Sequence, residues 1–174
     1  MKHFQHKSEV RVALVVSNKP DAGALDIARQ HGIPTHLIGR ANFFETKDIL
    51  AVLAKHEVDF IVLAGFLWLI PPYLVQAFQH RIVNIHPALL PKYGGKGMYG
   101  MRVHEAVRVA NELETGITIH FVNEQYDEGD IVFQARCPVA ATDTPADIAR
   151  NVQALEHQHF PDVIEKILLH PEYF

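Results

Sequence analysis

The segment "RIVNIHPALLPKYGGKG", residues 81–97, places Asn84 and His86 two residues apart where a short apolar run ends. In a strand, successive side chains point to opposite faces. Ile82, Asn84 and His86 therefore share one face, and Arg81, Val83 and Ile85 share the other. An Asn amide can donate to an oxygen that is becoming negative. A His can move protons near neutral pH. Together they suit acyl-type transfer, in which a carbonyl carbon turns tetrahedral. A plainer reading also fits: an Asn that caps a turn and a surface His. In "NEQYDEGDIV", Asp127 stands in a turn beside Glu128, Gly129 and Asp130. An acid there could orient a His and favour its protonated form. Asp and Gly are also what ordinary turns use.

Two other patterns invite chemistry and support it less. The chain has 12 histidines, but metal sites need ligands at matched spacing, such as two His at i, i+4 on a helix. His157 and His159 are at i, i+2, which turns them to different sides of a helix. No metal is expected. "YGGKGMYG" could cradle a phosphate through backbone N–H groups. It lacks the Lys-Ser/Thr ending of a P-loop and follows "LLPK" rather than a strand end. A loop that shapes a pocket fits it better.

The elements that must position these residues follow from periodicity. Val10–Val16 is a continuous apolar, β-branched run, read as a strand buried on both faces. "AGALDIARQHG" has helical spacing at Leu25, Ile27 and Ala28 and stops at Gly32. "IPTHLI" is a short strand. "TKDILAVLAKHE" is an amphipathic helix with Thr46 as its N-cap. Val58–Phe66 reads as a second apolar strand. "PPYLVQAFQH" opens with prolines where a helix tolerates them, and "RIVNIH" is a third strand. Strands alternating with helices indicate an α/β sheet. "TGITIHFV" and "GDIVFQARCPV" have no helix between them and are expected to pair antiparallel at a sheet edge. The segment from Asp143 to Leu169 is a long last helix. Thr144 caps it, Pro145 takes its first position, Asp147 favours its positive end, and Pro161 breaks or kinks it.

At 174 residues the chain fits one domain, 1–174, with an atypical start over residues 1–9. Apolar residues at 48% and charged residues at 21% are ordinary for a globular protein. The net charge of -4 comes without a basic stripe, so nucleic acid is not an expected partner. No apolar stretch is long enough to cross a bilayer, and no membrane partner is expected. "MKHFQHKSEV" lacks the apolar core of a secretory signal. The single cysteine, Cys137, fits a reducing compartment, with the cytoplasm as the default.

The segments "VSNKPDAGALDIARQHGIP", "DFIVLAGFLWLIP", "RIVNIHPALLPKYGGKG", "TGITIHFV", "YDEGDIV" and "VQALEHQHFP" occur in that order. Together they resemble the phosphoribosylglycinamide formyltransferase family, over nearly everything from Val10 to about Leu169. The resemblance implies a Rossmann-like formyltransferase fold: a mostly parallel sheet, helices on both faces and an antiparallel C-terminal edge. It implies transfer of a formyl group from 10-formyltetrahydrofolate, a cosubstrate, to the amine of glycinamide ribonucleotide in purine synthesis, without a metal.

By the same resemblance, Asn84 matches the residue that stabilises the oxyanion and His86 the catalytic His. Asp127 matches the acid that raises the proton affinity of His86. Leu67, Trp68, Leu69 and Ile70 fall where the family binds folate, with Trp68 where many members have Arg. Lys47 matches a position that often carries a folate-contacting Arg, and His120 a His near the site. Gln153 and Glu156 match ribonucleotide contacts, Glu156 through the amine. Residues 124–129 would form a loop over the folate. The resemblance also implies a first strand and a phosphate-binding loop that precede the matching segments. Here "MKHFQHKSEV" leads straight into what resembles the second family strand, so phosphate affinity is expected to fall, and either the sheet is rearranged or the true start lies upstream of Met1. The alternatives are a non-catalytic folate-binding remnant and a related hydrolase that uses formyltetrahydrofolate. A monomer or a homodimer fits equally.

Overall fold

The structure, a computed structural model, describes residues 1–170 and 172. The chain forms two compact units, one of Met1–Ile61 with Pro71–Phe78, the other of Val62–Ile70 with the described residues from Gln79 onward.

In the first unit, β1 (Val15–Ser17) pairs parallel with β2 (Thr35–Leu37). The helix between them, α1 (Gly23–Gln30), packs on both strands. Its Leu25 and Ala28 are fully buried. Ile27, expected on the same stripe, is 45% exposed, because two helical steps turn a side chain about 200° away. Gly32, at φ +67, supplies the left-handed residue that ends α1. The expected Val10–Val16 strand shrinks to the three residues of β1, and none of Val10–Val16 is buried. A ladder is only as long as its partner, and β2 offers three residues.

Next come α2 (Arg40–Glu45) and α3 (Asp48–Lys55), packed on each other. The N-cap of α3 is Lys47 rather than Thr46. Thr46 closes α2 instead, donating to the Asn42 carbonyl at 2.8 Å, and its hydroxyl still accepts from the Asp48 N–H at 3.3 Å. One side chain serves both helices. A further helix, α4 (Pro72–Ala77), starts on a proline, and its Tyr73 hydroxyl donates to the Phe43 carbonyl at 2.7 Å.

The second unit is built on a sheet of order β3 (Ile61–Leu63), β4 (Ile82–His86), β5 (Glu114–Phe121), β6 (Ile131–Pro138). β4 with β5 and β5 with β6 run antiparallel. The expected antiparallel hairpin is present, and it extends to β4. β3 covers a third of the expected Val58–Phe66 run, and Val62 is 40% exposed. Glu57 at φ 54 and Gly65 at φ +66 turn the chain on either side of it. β5 is buried on both faces from Thr115 to Phe121. Gly116 is required there, because a Cβ would fall within 3.0 Å of the Ala135 carbonyl on β6.

Between β4 and β5 lies α5 (Met101–Val109). The last helix, α6 (Pro145–Leu169), packs on α5, β5 and β6 through Ile148, Val152, Val163, Ile164 and Ile167. Thr144 and Asp147 form the capping box at its start. Pro161 does not break it: the helix runs through for 25 residues. Pro161 removes one hydrogen bond, and residues on both sides of it are buried, Ile148 and Val152 before it and Val163, Ile164 and Ile167 after it. Among the described residues, no helix is long and apolar enough to cross a membrane.

Candidate active site

β4 delivers its polar residues as the alternation requires. Asn84 and His86 stand on one face of a strand whose Ile82, Val83 and Ile85 are buried. The antiparallel register sets His120 of β5 directly opposite Asn84, and Thr118 opposite His86. Thr118 is fully buried and anchors the segment after β4. Its hydroxyl donates to the Ala88 carbonyl at 2.7 Å and accepts from the Leu90 N–H at 3.0 Å and from Gln134 at 2.9 Å.

His120 fixes the Asn84 amide. Its Nδ1 lies 2.8 Å from the Phe121 carbonyl, which can only accept, so Nδ1 carries the proton. In the neutral ring Nε2 is then an acceptor, and the Asn84 amide nitrogen approaches it at 3.2 Å. One amide N–H is thereby committed and the other remains for a ligand. His86 is 4% exposed. Its Nε2 donates to the Tyr93 carbonyl at 2.7 Å, and its Nδ1 lies 3.5 Å from Asp127 Oδ2.

Asp127 comes from the loop between β5 and β6. It adopts φ 56, a left-handed conformation that Asp tolerates better than most residues. Its Oδ2 accepts from the Gly95 N–H at 2.9 Å, and its Oδ1 lies 3.6 Å from His120 Nε2. The carboxylate therefore stands between two imidazoles. Both distances to the rings are too long for good hydrogen bonds, so the carboxylate acts on the rings mainly through its field.

Burial raises the Asp127 carboxyl. The His120 and His86 rings and the Gly95 N–H outweigh it and hold the group below its ordinary value. For His86 the balance is opposite. Burial pushes it below its usual value, against the pull of Asp127 and the Tyr93 carbonyl, and His120 adds to the lowering. Asp127 pulls the proton affinity of His86 upward, but burial is the larger effect. A third ring, His104 of α5, is also buried and lowered, first by burial and then by His86.

Asn84, His86, Asp127 and His120 are thus brought together. Leu67–Ile70 follow β3, with Leu67 46% exposed, Ile70 buried, and the Trp68 ring edge-on to Phe66. Lys47 is the exposed N-cap residue of α3 in the first unit. Gln153 and Glu156 lie one turn apart on α6, Gln153 exposed and Glu156 half-buried. Neither is hydrogen-bonded to the Asn84–His86–Asp127 group among the described residues. Burial raises the Glu156 carboxyl, with His157 opposing. Sequence reasoning missed the Tyr93 carbonyl, the Gly95 N–H, His104 and the tether from His120 to Asn84. The last was within reach, since alternation and antiparallel pairing set His120 against Asn84.

A strand-end amide with one free N–H, beside a buried imidazole and a carboxylate on an α/β frame, is an arrangement able to stabilise the oxyanion of acyl-type transfer. The chain belongs to the formyl transferase family, whose model matches residues 1–164. It is 47% identical over 161 residues to the chloroplastic phosphoribosylglycinamide formyltransferase of Arabidopsis thaliana, with 90% of this chain and 55% of that protein covered. It is 38% identical to the phosphoribosylglycinamide formyltransferase of Escherichia coli strain K12, with 91% and 74% covered. The crystal structure of phosphoribosylglycinamide formyltransferase from Anaplasma phagocytophilum superposes with a TM-score of 0.88 at 35% identity, covering 97% of this chain and 79% of that one. The chain spans about half the length of the first curated relatives it matches.

Proposed function

We propose that this chain transfers the formyl group of 10-formyltetrahydrofolate to the amine of 5'-phosphoribosylglycinamide, a step of purine biosynthesis. The observation that carries the proposal is the Asn84 amide, held by His120 at 3.2 Å with an N–H to spare, beside His86 and Asp127.

The neutral amine attacks the formyl carbon, and the carbonyl electrons move to oxygen. The free Asn84 N–H and the His86 imidazolium stabilise that oxyanion. The bond from the formyl carbon to the folate nitrogen then breaks. The proton lost by the amine passes to that nitrogen, directly or through water, with His86 as the exchanging group. Asp127 favours the charged form of His86 as the anion develops. The amine is itself the nucleophile, so no covalent enzyme intermediate is needed.

In this reading Leu67, Trp68, Leu69, Ile70, Asn84 and Lys47 bind the folate, and residues 124–129 cover it. Gln153 and Glu156 bind the ribonucleotide, with the Glu156 carboxylate accepting from its amine. The enzyme works as a monomer or a homodimer in the cytoplasm, where the free Cys137 stays reduced.

The test is formyl transfer by the purified chain with both substrates, against Asn84→Ala. Removing one oxyanion donor lowers kcat by about 100- to 1,000-fold, beyond any rise in KM for the folate from its lost Asn84 contact. An inactive wild-type chain, or an Asn84→Ala variant that turns over normally, overturns the proposal.

A further inference from the structure

We infer that Glu112, in the turn between α5 and β5, is a positioning residue for His86, acting through Tyr93. The inference rests on the function proposed above and deepens it.

Three observations connect the two residues. The imidazole of His86 is oriented by one short contact, from Nε2 to the Tyr93 backbone carbonyl at 2.7 Å. That carbonyl is aimed by an unusual backbone, because Tyr93 adopts φ 58. Left-handed φ is uncommon for a bulky residue and persists only where surroundings enforce it. Third, the Tyr93 side chain is tied down at its far end. Its hydroxyl donates to Glu112 Oε1 at 2.8 Å, and the Lys92 ammonium donates to the same oxygen at 2.8 Å.

Glu112 therefore clamps the ring of Tyr93, and Lys92 keeps the Glu112 carboxylate charged and in place. The Lys92 hydrogen bond is the first cause, and the Tyr93 hydroxyl the second, that hold Glu112 below its ordinary value. An exposed Lys–Glu pair alone is worth little. Here the same carboxylate also accepts the phenol, and the phenol belongs to the residue whose carbonyl orients His86. Glu112 touches neither His86 nor the Asn84 amide. Its effect is transmitted through the backbone of residue 93.

The other groups facing His86 are Asp127 and His120, from the β5–β6 loop and β5, and His104 from α5. None is hydrogen-bonded to Glu112 among the described residues. A change at Glu112 that reaches His86 must come by way of Tyr93. The carbonyl both fixes the Nε2–H tautomer and raises the proton affinity of the ring. Freeing it should lower the titration midpoint of His86 and weaken the tautomer preference.

The experiment is histidine 15N NMR on the wild type, Glu112→Ala, Glu112→Gln and Tyr93→Phe, with formyl-transfer kinetics alongside. Glu112→Ala should move the His86 midpoint to lower pH by about half a unit or more. It should also reduce kcat about tenfold, with KM for both substrates within about twofold. Glu112→Gln keeps an acceptor for the Tyr93 hydroxyl and should recover most of both effects. Tyr93→Phe should match Glu112→Ala, and the double variant should lose no more than either single one. A folded Glu112→Ala with an unshifted His86, or a Glu112→Gln as impaired as the alanine variant, overturns the inference. If Glu112→Ala does not fold, Tyr93→Phe decides the matter alone. A wild-type chain without formyl transfer overturns the proposed function instead, and the NMR comparison still tests the clamp.

Discussion

Gly129 offers the sharpest test of how the fold holds the Asp127 carboxylate. It lies two residues after Asp127, with its backbone against β5. A Cβ at this position would meet the Phe121 carbonyl oxygen and carbon, both inside the 3.0 Å that real Cβ atoms respect, with the Asn123 nitrogen at 3.5 Å. The first two neighbours are backbone at the end of β5, tied by the Phe121 N–H to the Asp130 carbonyl at 2.8 Å. No side chain can rotate away. In Gly129→Ala the loop must move off β5 by on the order of 1 Å, and it carries Asp127 with it. A displacement of that size costs about 100-fold in rate where geometry is set for reaction. It would also strain the 2.9 Å bond from the Gly95 N–H to Asp127 and open the 3.5 Å contact with His86. The overpacking itself should cost about 1–3 kcal/mol of stability. The assay is steady-state formyl transfer together with thermal denaturation of the same preparation. Expected is a folded protein with a lowered Tm, kcat down about 100-fold, and a smaller change in KM for the ribonucleotide. A variant that keeps its Tm and turns over within about threefold of wild type would refute the claim that this contact sets the position of Asp127.

Two further predictions concern stability. His104 and His86 both titrate below their ordinary value in the folded protein, chiefly through burial. Below about pH 6.5 the unfolded chain therefore binds more protons than the folded one. Their contribution is complete above that pH and is lost as pH falls through the lowered folded values. His104→Leu also removes a buried Nδ1 that has no hydrogen-bond partner among the described residues, so stability at pH 7 should hold or rise by about 1 kcal/mol. Its decline toward pH 5 in urea titrations should be shallower than wild type, and an equally steep decline would count against a neutral, buried His104. Thr115 on β5 is 2% exposed, and its hydroxyl lacks a hydrogen-bond partner among the described residues. Thr115→Val should raise stability by up to about 1 kcal/mol, or Tm by roughly 2–4 °C, by calorimetry; a lower Tm would mean that the hydroxyl is bonded after all.

What the sequence made legible was whatever depends on local period. Alternation over Ile82–His86 places Asn84 and His86 on one face, and they are there. Two apolar runs without an intervening helix give the β5–β6 hairpin. Thr144, Pro145 and Asp147 mark the start of α6 to the residue. What it hid depends on partners far along the chain. Val10–Val16 and Val58–Phe66 read as long strands, yet their pairing is limited by a short neighbour and by turns at Glu57 and Gly65. Ile27 has the hydrophobicity of a core residue but the wrong angular position. At the site the hidden contributors are backbone atoms. The Tyr93 carbonyl and the Gly95 N–H act through the conformation of "KYGGKG", and a left-handed Tyr93 is not announced by its identity. Nothing in the spacing of Glu112, nineteen residues after Tyr93, links the two.

The hydrogen-bond partners also bear on which ring carries charge when the oxyanion of the proposed reaction forms. Both nitrogens of His86 face acceptors, the Tyr93 carbonyl at 2.7 Å and the Asp127 carboxylate at 3.5 Å. That ring is satisfied when doubly protonated. His120 Nδ1 faces the Phe121 carbonyl, and its Nε2 has the Asn84 amide donor as its nearer partner at 3.2 Å and the Asp127 carboxylate farther off at 3.6 Å. That ring is satisfied when neutral. A proton on its Nε2 would compete with the amide and force Asn84 to turn its oxygen inward, removing the free N–H that the oxyanion needs. In the proposed reaction the partners match a proton on His86 and an acceptor at His120 Nε2 for the Asn84 amide. Burial holds His86 below its ordinary value before reaction, so the imidazolium is costly until a second negative charge joins Asp127. The growing oxyanion supplies that charge, and it appears only in the transition state and the tetrahedral intermediate. An imidazolium favoured more strongly there than in the ground state is what differential stabilisation requires. The dry surroundings of His86 and the long contact to Asp127 thus belong to the same arrangement: a tighter ion pair would hold His86 charged from the outset and leave less to be gained as the reaction proceeds.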